Sequence, residues 1–133
     1  MKYLLDTNAC ISYLNNPASP VRSRIFSLKP SEIFICSVVK AELFYGVLNS
    51  GNPKKNMDKL NVFLNQIRSL PFDDDSALIF GNIRASLARI GKPIGPYDLQ
   101  IAAIALQNSL TLVTHNINEF SRVPDLTCED WEI

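Results

Sequence analysis

The sequence predicts an α/β fold: a three-layer α/β/α sandwich on a central parallel sheet of four to five strands. Three observations carry this. Short apolar runs alternate with helix-periodic segments, the pattern of parallel strands joined by crossover helices. The runs at Lys2–Asp6 and Ile33–Cys36 are nearly continuous in apolar character, as strands buried on both faces require. The chain has 133 residues, 47% hydrophobic and 20% charged; a chain of that size buries roughly 68% of its unfolded surface, so it fits one domain with a real core.

The elements follow in order. Lys2–Asp6 is the first strand. Thr7 or Asn8 can cap a helix that runs to about Leu14. Residues 15–20 carry two prolines and form a turn, and Pro20 suits the first position of a second short helix. Ile33–Cys36 is the second strand, and Ser37 stands where an N-cap belongs, opening a helix to about Leu48. After a loop ending at Pro53, Leu60, Phe63, Leu64 and Ile67 mark an amphipathic helix. Leu70–Phe72 is a short extended piece. Asp73, Asp74 and Asp75 favour the N-terminus of a helix reaching about Ile90 through the macrodipole. The constrained loop 91–96 leads to Pro96, which starts an apolar helix ending near Asn108. Thr111–Thr114 is another strand, and a final one lies near Leu126–Cys128.

Composition narrows the function. Cys10, Cys36 and Cys128 are odd in number and widely spaced, matching neither a disulfide framework nor a zinc site. The lone His115 rules out a His-rich centre. No apolar stretch approaches the roughly 20 residues of a membrane span. Met1-Lys2 leads straight into a strand without a signal-peptide layout, so a cytoplasmic location is expected. Formal net charge is zero, so nucleic-acid binding would need a local basic patch.

Four acids stand out: Asp6, Glu42, Asp98 and Glu119. Asp6 and Glu119 follow strands, Glu42 lies one turn into the helix after the second strand, and Asp98 opens an apolar helix. Strands of an open parallel sheet end on one shared edge, where ligands bind. Glu42 sits among Val38, Val39, Leu43, Phe44 and Tyr45, where a carboxylate is rarely left unpaired. Gly46 beside it, and Gly95 before Asp98, read as positions that clear space. Two carboxylates about 5 Å apart repel by roughly 3 kcal/mol at an effective dielectric of 20. A divalent cation reverses that sign. All-oxygen donors select Mg²⁺ or Mn²⁺ over zinc, which points to phosphodiester hydrolysis. Each acid also has a plainer use as a helix cap or surface charge. A phosphoaspartate mechanism fits less well, because Asn8 stands where a second Asp is wanted, and neither a phosphate-cradling glycine loop nor a Ser-His-Asp set is present.

Leu5-Asp6-Thr7-Asn8, Ser37 with Glu42, Gly95-Pro96-Tyr97-Asp98 before Ile101-Ala102, Thr114-His115-Asn116, Glu119-Phe120 and Glu129-Asp130-Trp131 resemble the PIN-domain ribonucleases. More narrowly they resemble the VapC-type toxins of toxin–antitoxin modules, over essentially the whole chain, residues 1–133 as one PIN domain. The resemblance implies that Asp6, Glu42, Asp98 and Glu119 are catalytic and hold Mg²⁺ (or Mn²⁺), with Asn8, Ser37, Thr114 and Asn116 orienting the carboxylates. Many members place an Asp where Asn116 stands, which leaves the fourth acidic role to Glu119.

It also implies a structured RNA substrate, a tRNA anticodon stem-loop and in one subgroup initiator tRNA, with Arg84, Arg89 and Lys92 as phosphate contacts. Arg84 falls on the Ala77, Phe80, Gly81, Ala85, Ala88 face and is expected to lie against the domain, toward the site. A cognate antitoxin is implied as partner, with Phe26, Phe44, Tyr45 and Phe63 as an apolar groove or as core. A homodimer is typical of the family, and no membrane contact is implied. The alternative reading is a catalytically silent RNA- or protein-binding module of the same fold.

Overall fold

The computed structural model describes residues 1–133 as a three-layer α/β/α arrangement of five strands and seven helices around one parallel sheet. In chain order the elements are β1 (Tyr3–Leu5), α1 (Thr7–Asn15), α2 (Pro20–Phe26), β2 (Ile33–Cys36), α3 (Ser37–Leu48), α4 (Pro53–Leu64), β3 (Arg68–Leu70), α5 (Asp74–Arg89), α6 (Pro96–Gln107), β4 (Thr111–Val113), α7 (Ile117–Phe120) and β5 (Cys128–Glu129). A single 3₁₀ turn, Pro30–Glu32, leads into β2.

The strand order is β3-β2-β1-β4-β5, every pair parallel. The first strand is therefore central, and the direction of winding reverses between β1 and β4. At such a reversal the connections leaving the two strands diverge and open a crevice beyond their carboxyl ends. Leu5 stands opposite Val113 there, so the residues that follow, Asp6 and Thr114, emerge side by side.

Leu4, Leu5, Ile35 and Leu112 are wholly buried in the sheet. The helix α6 is buried over Ile101–Ala105 and packs chiefly on α5. Removing large side chains such as these from the core costs about 2–5 kcal/mol each. The carboxyl end of α5 closes as a Schellman turn, in which Lys92 N–H donates to the Leu87 carbonyl (3.0 Å) and Gly91 N–H to that of Ala88 (3.1 Å). Gly91 occupies the left-handed region at φ 67°, which its missing Cβ permits. The turn aims residues 91–96 at the start of α6.

The structure corrects several boundaries. Asp6, not Thr7 or Asn8, is the N-cap of α1, its carboxylate accepting from Ala9 N–H at 2.8 Å. Cys36 takes the extended cap geometry before α3, so Ser37 is already helical and its hydroxyl accepts from Phe72 N–H at 3.3 Å. The third strand is Arg68–Leu70 rather than Leu70–Phe72, because its pairing with Phe34–Cys36 sets the register. Gly46 and Gly95 are not sites of close approach, since a Cβ at either would meet open space. On the α5 face, Ala77, Gly81, Ala85 and Ala88 are exposed, while Arg84, exposed as well, lies over the half-buried Phe80 ring. Phe63 belongs to the core.

Candidate active site

Four elements deliver the four acids to the carboxyl edge of the sheet. Asp6 leaves β1 nearly buried, its backbone N–H donating to the Val113 carbonyl of β4 at 3.1 Å. That bond holds it at the switch point, and Ala9 N–H fixes one carboxylate oxygen. Burial pushes its pKa up; the Thr114 hydroxyl and Ala9 N–H pull it back, and the charges of Glu132 and Glu42 push it up again. Glu42, half-buried on α3, accepts from the Thr7 hydroxyl at 2.7 Å. Thr7 is the first residue of α1, so this bond ties α3 to the residue that follows Asp6.

Asp98 lies in the first turn of α6, half-buried. Burial first, then the charges of Glu119, Glu42 and Asp6, raise its pKa to about 6. All three other acids therefore act on this one carboxyl group. Glu119 sits on α7, where its carboxylate accepts from the Asn116 side-chain amide at 2.7 Å. Arg122, just past α7, donates to the Pro93 carbonyl at 3.3 Å and joins the segment carrying Glu119 to the loop leading to Asp98.

Thr7, Asn8, Ser37, Glu42, Tyr45 and Tyr97 are among the residues lining a groove of about 790 Å³ that runs along this edge. Asn8 is exposed in it. Thr114 is buried, with its hydroxyl accepting from Asn116 N–H at 3.0 Å. Thr114 and Asn116 thus stand beside the acids as expected from the sequence, whereas Ser37 lines the groove but bonds Phe72 instead of a carboxylate. Arg84 overlies the Phe80 ring at 6.0 Å and borders a cavity of about 260 Å³ shared with Pro96 and Leu99, the chain neighbourhood of Asp98. Arg89 and Lys92 are exposed at the end of α5 and in the loop after it.

The residues suit a hard divalent ion. The ion pairs within 4.0 Å are Arg24–Glu129 and His115 with Asp130 and Glu132, so none of the four acids has a cationic partner. No three of them bring carboxylate oxygens within 4.8 Å of one another. They do not form a closed cage, so an ion held there would keep several of its waters, as Mg²⁺ does. Thr7 and Glu132 were missed from the sequence. Thr7 could have been flagged only as a hydroxyl beside Asp6, and Glu132 only once strand register brings the C-terminal tail to this edge.

Comparisons with known proteins show the family and the fold. The family model described as PIN domain matches residues 3–126. The tRNA(fMet)-specific endonuclease VapC of Shigella flexneri is 42% identical over 131 residues, 98% of each chain. Among solved structures, a chain of DNA-bound VapBC from Salmonella typhimurium superposes with a TM-score of 0.93 at 40% identity, covering 98% of both chains. One from VapBC2 of Rickettsia felis, bound to a promoter DNA fragment, gives 0.92 at 37% identity, covering 98% and 99%.

Proposed function

The chain belongs to the PIN-domain family, in its VapC branch, and on that premise we propose that it is a metal-dependent endoribonuclease, the toxin of a toxin–antitoxin pair, acting through Asp6, Glu42, Asp98 and Glu119. The observation that carries this reading is that Thr7 ties Glu42 to the residue after Asp6 and Arg122 ties the Glu119 segment to the loop before Asp98, with no ion-pair partner for any of the four acids.

Carboxylate donors without Cys or His favour Mg²⁺, with Mn²⁺ as a substitute. When bound, such an ion acidifies a water and offsets the charge developing on a phosphoryl group. The protein's own part is positioning. Asp6 is locked by Ala9 N–H, Glu42 by Thr7 and Glu119 by Asn116, so the carboxylates lose little freedom when they engage a charge. Asp98 carries a proton for part of the time near pH 6, and it would be held as the carboxylate with a cation in place. Asn8 and Ser37 offer polar groups along the groove, and Thr114 steadies Asp6 from β4.

We assign the RNA backbone to the groove, with Arg84, Arg89 and Lys92, on α5 and in the loop before α6, contacting phosphates beyond it. The substrate is a structured RNA, a tRNA anticodon stem-loop; initiator tRNA is the reading that the tRNA(fMet)-specific endonuclease of Shigella flexneri supports. The complexes solved for the Salmonella and Rickettsia proteins support a cognate antitoxin as partner. Phe26 and Tyr45, 70% and 71% exposed, are apolar contacts offered to its segment, while Phe44 is half-buried against the core. A homodimer acting in the cytoplasm completes the proposal; no helix is long and apolar enough to cross a membrane.

The test is to map RNA ends after incubating total RNA with the purified protein and Mg²⁺, comparing wild type with Asp98→Asn. Cleavage at defined tRNA positions by the wild type, removed by chelator and by the substitution, is the expected result. Equal cleavage by the variant refutes the assignment of the pocket. Intact RNA with the wild type in both Mg²⁺ and Mn²⁺ leaves the silent binding module as the reading.

A further inference from the structure

Strand register builds a second group of metal-ligating side chains beside the acidic pocket. The parallel pair β4–β5 sets Val113 opposite Glu129, and Thr114 N–H donates to the Glu129 carbonyl at 2.9 Å. His115, two residues past Val113, therefore comes alongside the C-terminal tail. Side chains alternate along that tail. Trp131 turns inward, 3% exposed, edge-on to Tyr3 at 5.0 Å and beneath the Arg24 guanidinium at 4.9 Å. Asp130 and Glu132 turn the other way, toward the imidazole. His115 Nδ1 lies 2.9 Å from Asp130 Oδ2 and 4.0 Å from Glu132 Oε2, and the ligand atoms of all three fall within 4.8 Å of one another.

We propose that His115, Asp130 and Glu132 form a binding site for a transition-metal dication of the Zn²⁺ class, separate from the four-acid pocket. One imidazole nitrogen with two carboxylates is a ligand set that prefers Zn²⁺, Co²⁺ or Ni²⁺ over Mg²⁺, the reverse of the all-oxygen pocket. Three protein ligands leave a tetrahedral ion one open position.

Charge points the same way. With a neutral imidazole the trio carries two negative charges; protonating His115 balances only one, and no Lys or Arg pairs with either carboxylate. The ligands are already held in place. Trp131 Nε1 donates to Glu129 Oε1 at 3.0 Å, and Arg24 grips the same carboxylate at 3.3 Å, so the tail is pinned between two of its ligands. The site is also open to solvent, with the His115 side chain 63% exposed.

His115 is the only histidine in the chain, which gives a direct probe. Untagged protein is titrated with Co²⁺ while the imidazole resonances are followed by NMR, and Zn²⁺ binding is measured by calorimetry. The expected results are imidazole signals displaced far outside the diamagnetic range and one Zn²⁺ bound per chain. That binding survives the double substitution Asp6→Asn/Asp98→Asn and weakens roughly tenfold or more in His115→Ala and in Glu132→Gln. Unmoved imidazole signals, unchanged Zn²⁺ affinity in His115→Ala, or affinity lost only through the double substitution overturn the proposal. The last outcome places the ion in the acidic pocket. The NMR readout uses the unsubstituted protein, so a variant that fails to fold does not leave the question open.

Discussion

Replacing Asp98 by Asn is expected to make the metal-free protein more stable at neutral pH. The Asp98 carboxyl has a pKa of about 6 in the folded chain against an ordinary 3.8, raised by burial and by the charges of Glu119, Glu42 and Asp6. A group whose folded pKa is raised binds its proton more tightly in the native state. Its stabilising contribution is complete below pH 3.8, declines as the pH climbs, and is gone above about 6. The interval of about two pH units corresponds to about 3 kcal/mol at most. Asp98 is half-exposed, so solvent screening reduces this to about 1.5 kcal/mol. Losing a negative charge in the first turn of α6 takes back about 0.5 kcal/mol. The net gain for Asp98→Asn is thus about 1 kcal/mol at pH 7.5, or roughly 4 °C in melting temperature. Urea or thermal unfolding in chelator at pH 4 and pH 7.5 measures it directly. The variant is expected to lead at pH 7.5 and to lose that lead at pH 4. Excess Mg²⁺ is expected to raise the wild type and not the variant. A variant no more stable at pH 7.5, or a gap of the same size at both pH values, would falsify the electrostatic account of the pocket.

Substitutions at three further positions probe the site and the fold. Asp6→Asn keeps an N-cap for α1, so it is expected to fold normally and lose RNA cleavage, whereas Asp6→Ala also gives up the bond to Ala9 N–H and costs about 1 kcal/mol in unfolding experiments. Thr7→Val removes the hydroxyl that holds Glu42; a fall in kcat/KM of roughly tenfold is expected with the melting temperature nearly unchanged, and wild-type kinetics would argue against a positioning role. Ser109 closes α6 at φ 56°, in the left-handed region, so Ser109→Gly is expected to stabilise the protein by about 0.5–1 kcal/mol in urea titrations.

The parts of the fold written in local chemistry were legible in the sequence. Pro20 and Pro96 each open a helix as expected, Pro53 opens α4 where a loop residue was expected, and Ile33–Cys36 is a strand over its whole predicted length, because prolines and continuous apolar runs act without help from distant residues. The first turn of α7 was not legible, since the four residues Ile117–Phe120 are too short to show a period. Asp6 was open to two readings, as helix cap and as site acid, and it serves as the cap at the edge where the other acids gather. Geometry rather than composition separated Ser37 from the cap position: the extended dihedrals fall on Cys36, whose side chain makes no capping bond. The Thr7–Glu42 bond spans 35 residues and the approach of Glu132 to Asp6 depends on the pairing of β5 with β4, so neither follows from local pattern. Sequence order placed the acids near strand ends, and strand order decided that those ends meet.

The central claim is that Asp6, Glu42, Asp98 and Glu119 act together as the seat of a hard divalent ion. Calorimetric titration of Mg²⁺ into the metal-free protein at pH 7.5, run in parallel for wild type and Asp98→Asn, tests it most directly. Saturable binding to the wild type that disappears in the variant is expected. Identical Mg²⁺ binding by the two proteins would contradict the claim.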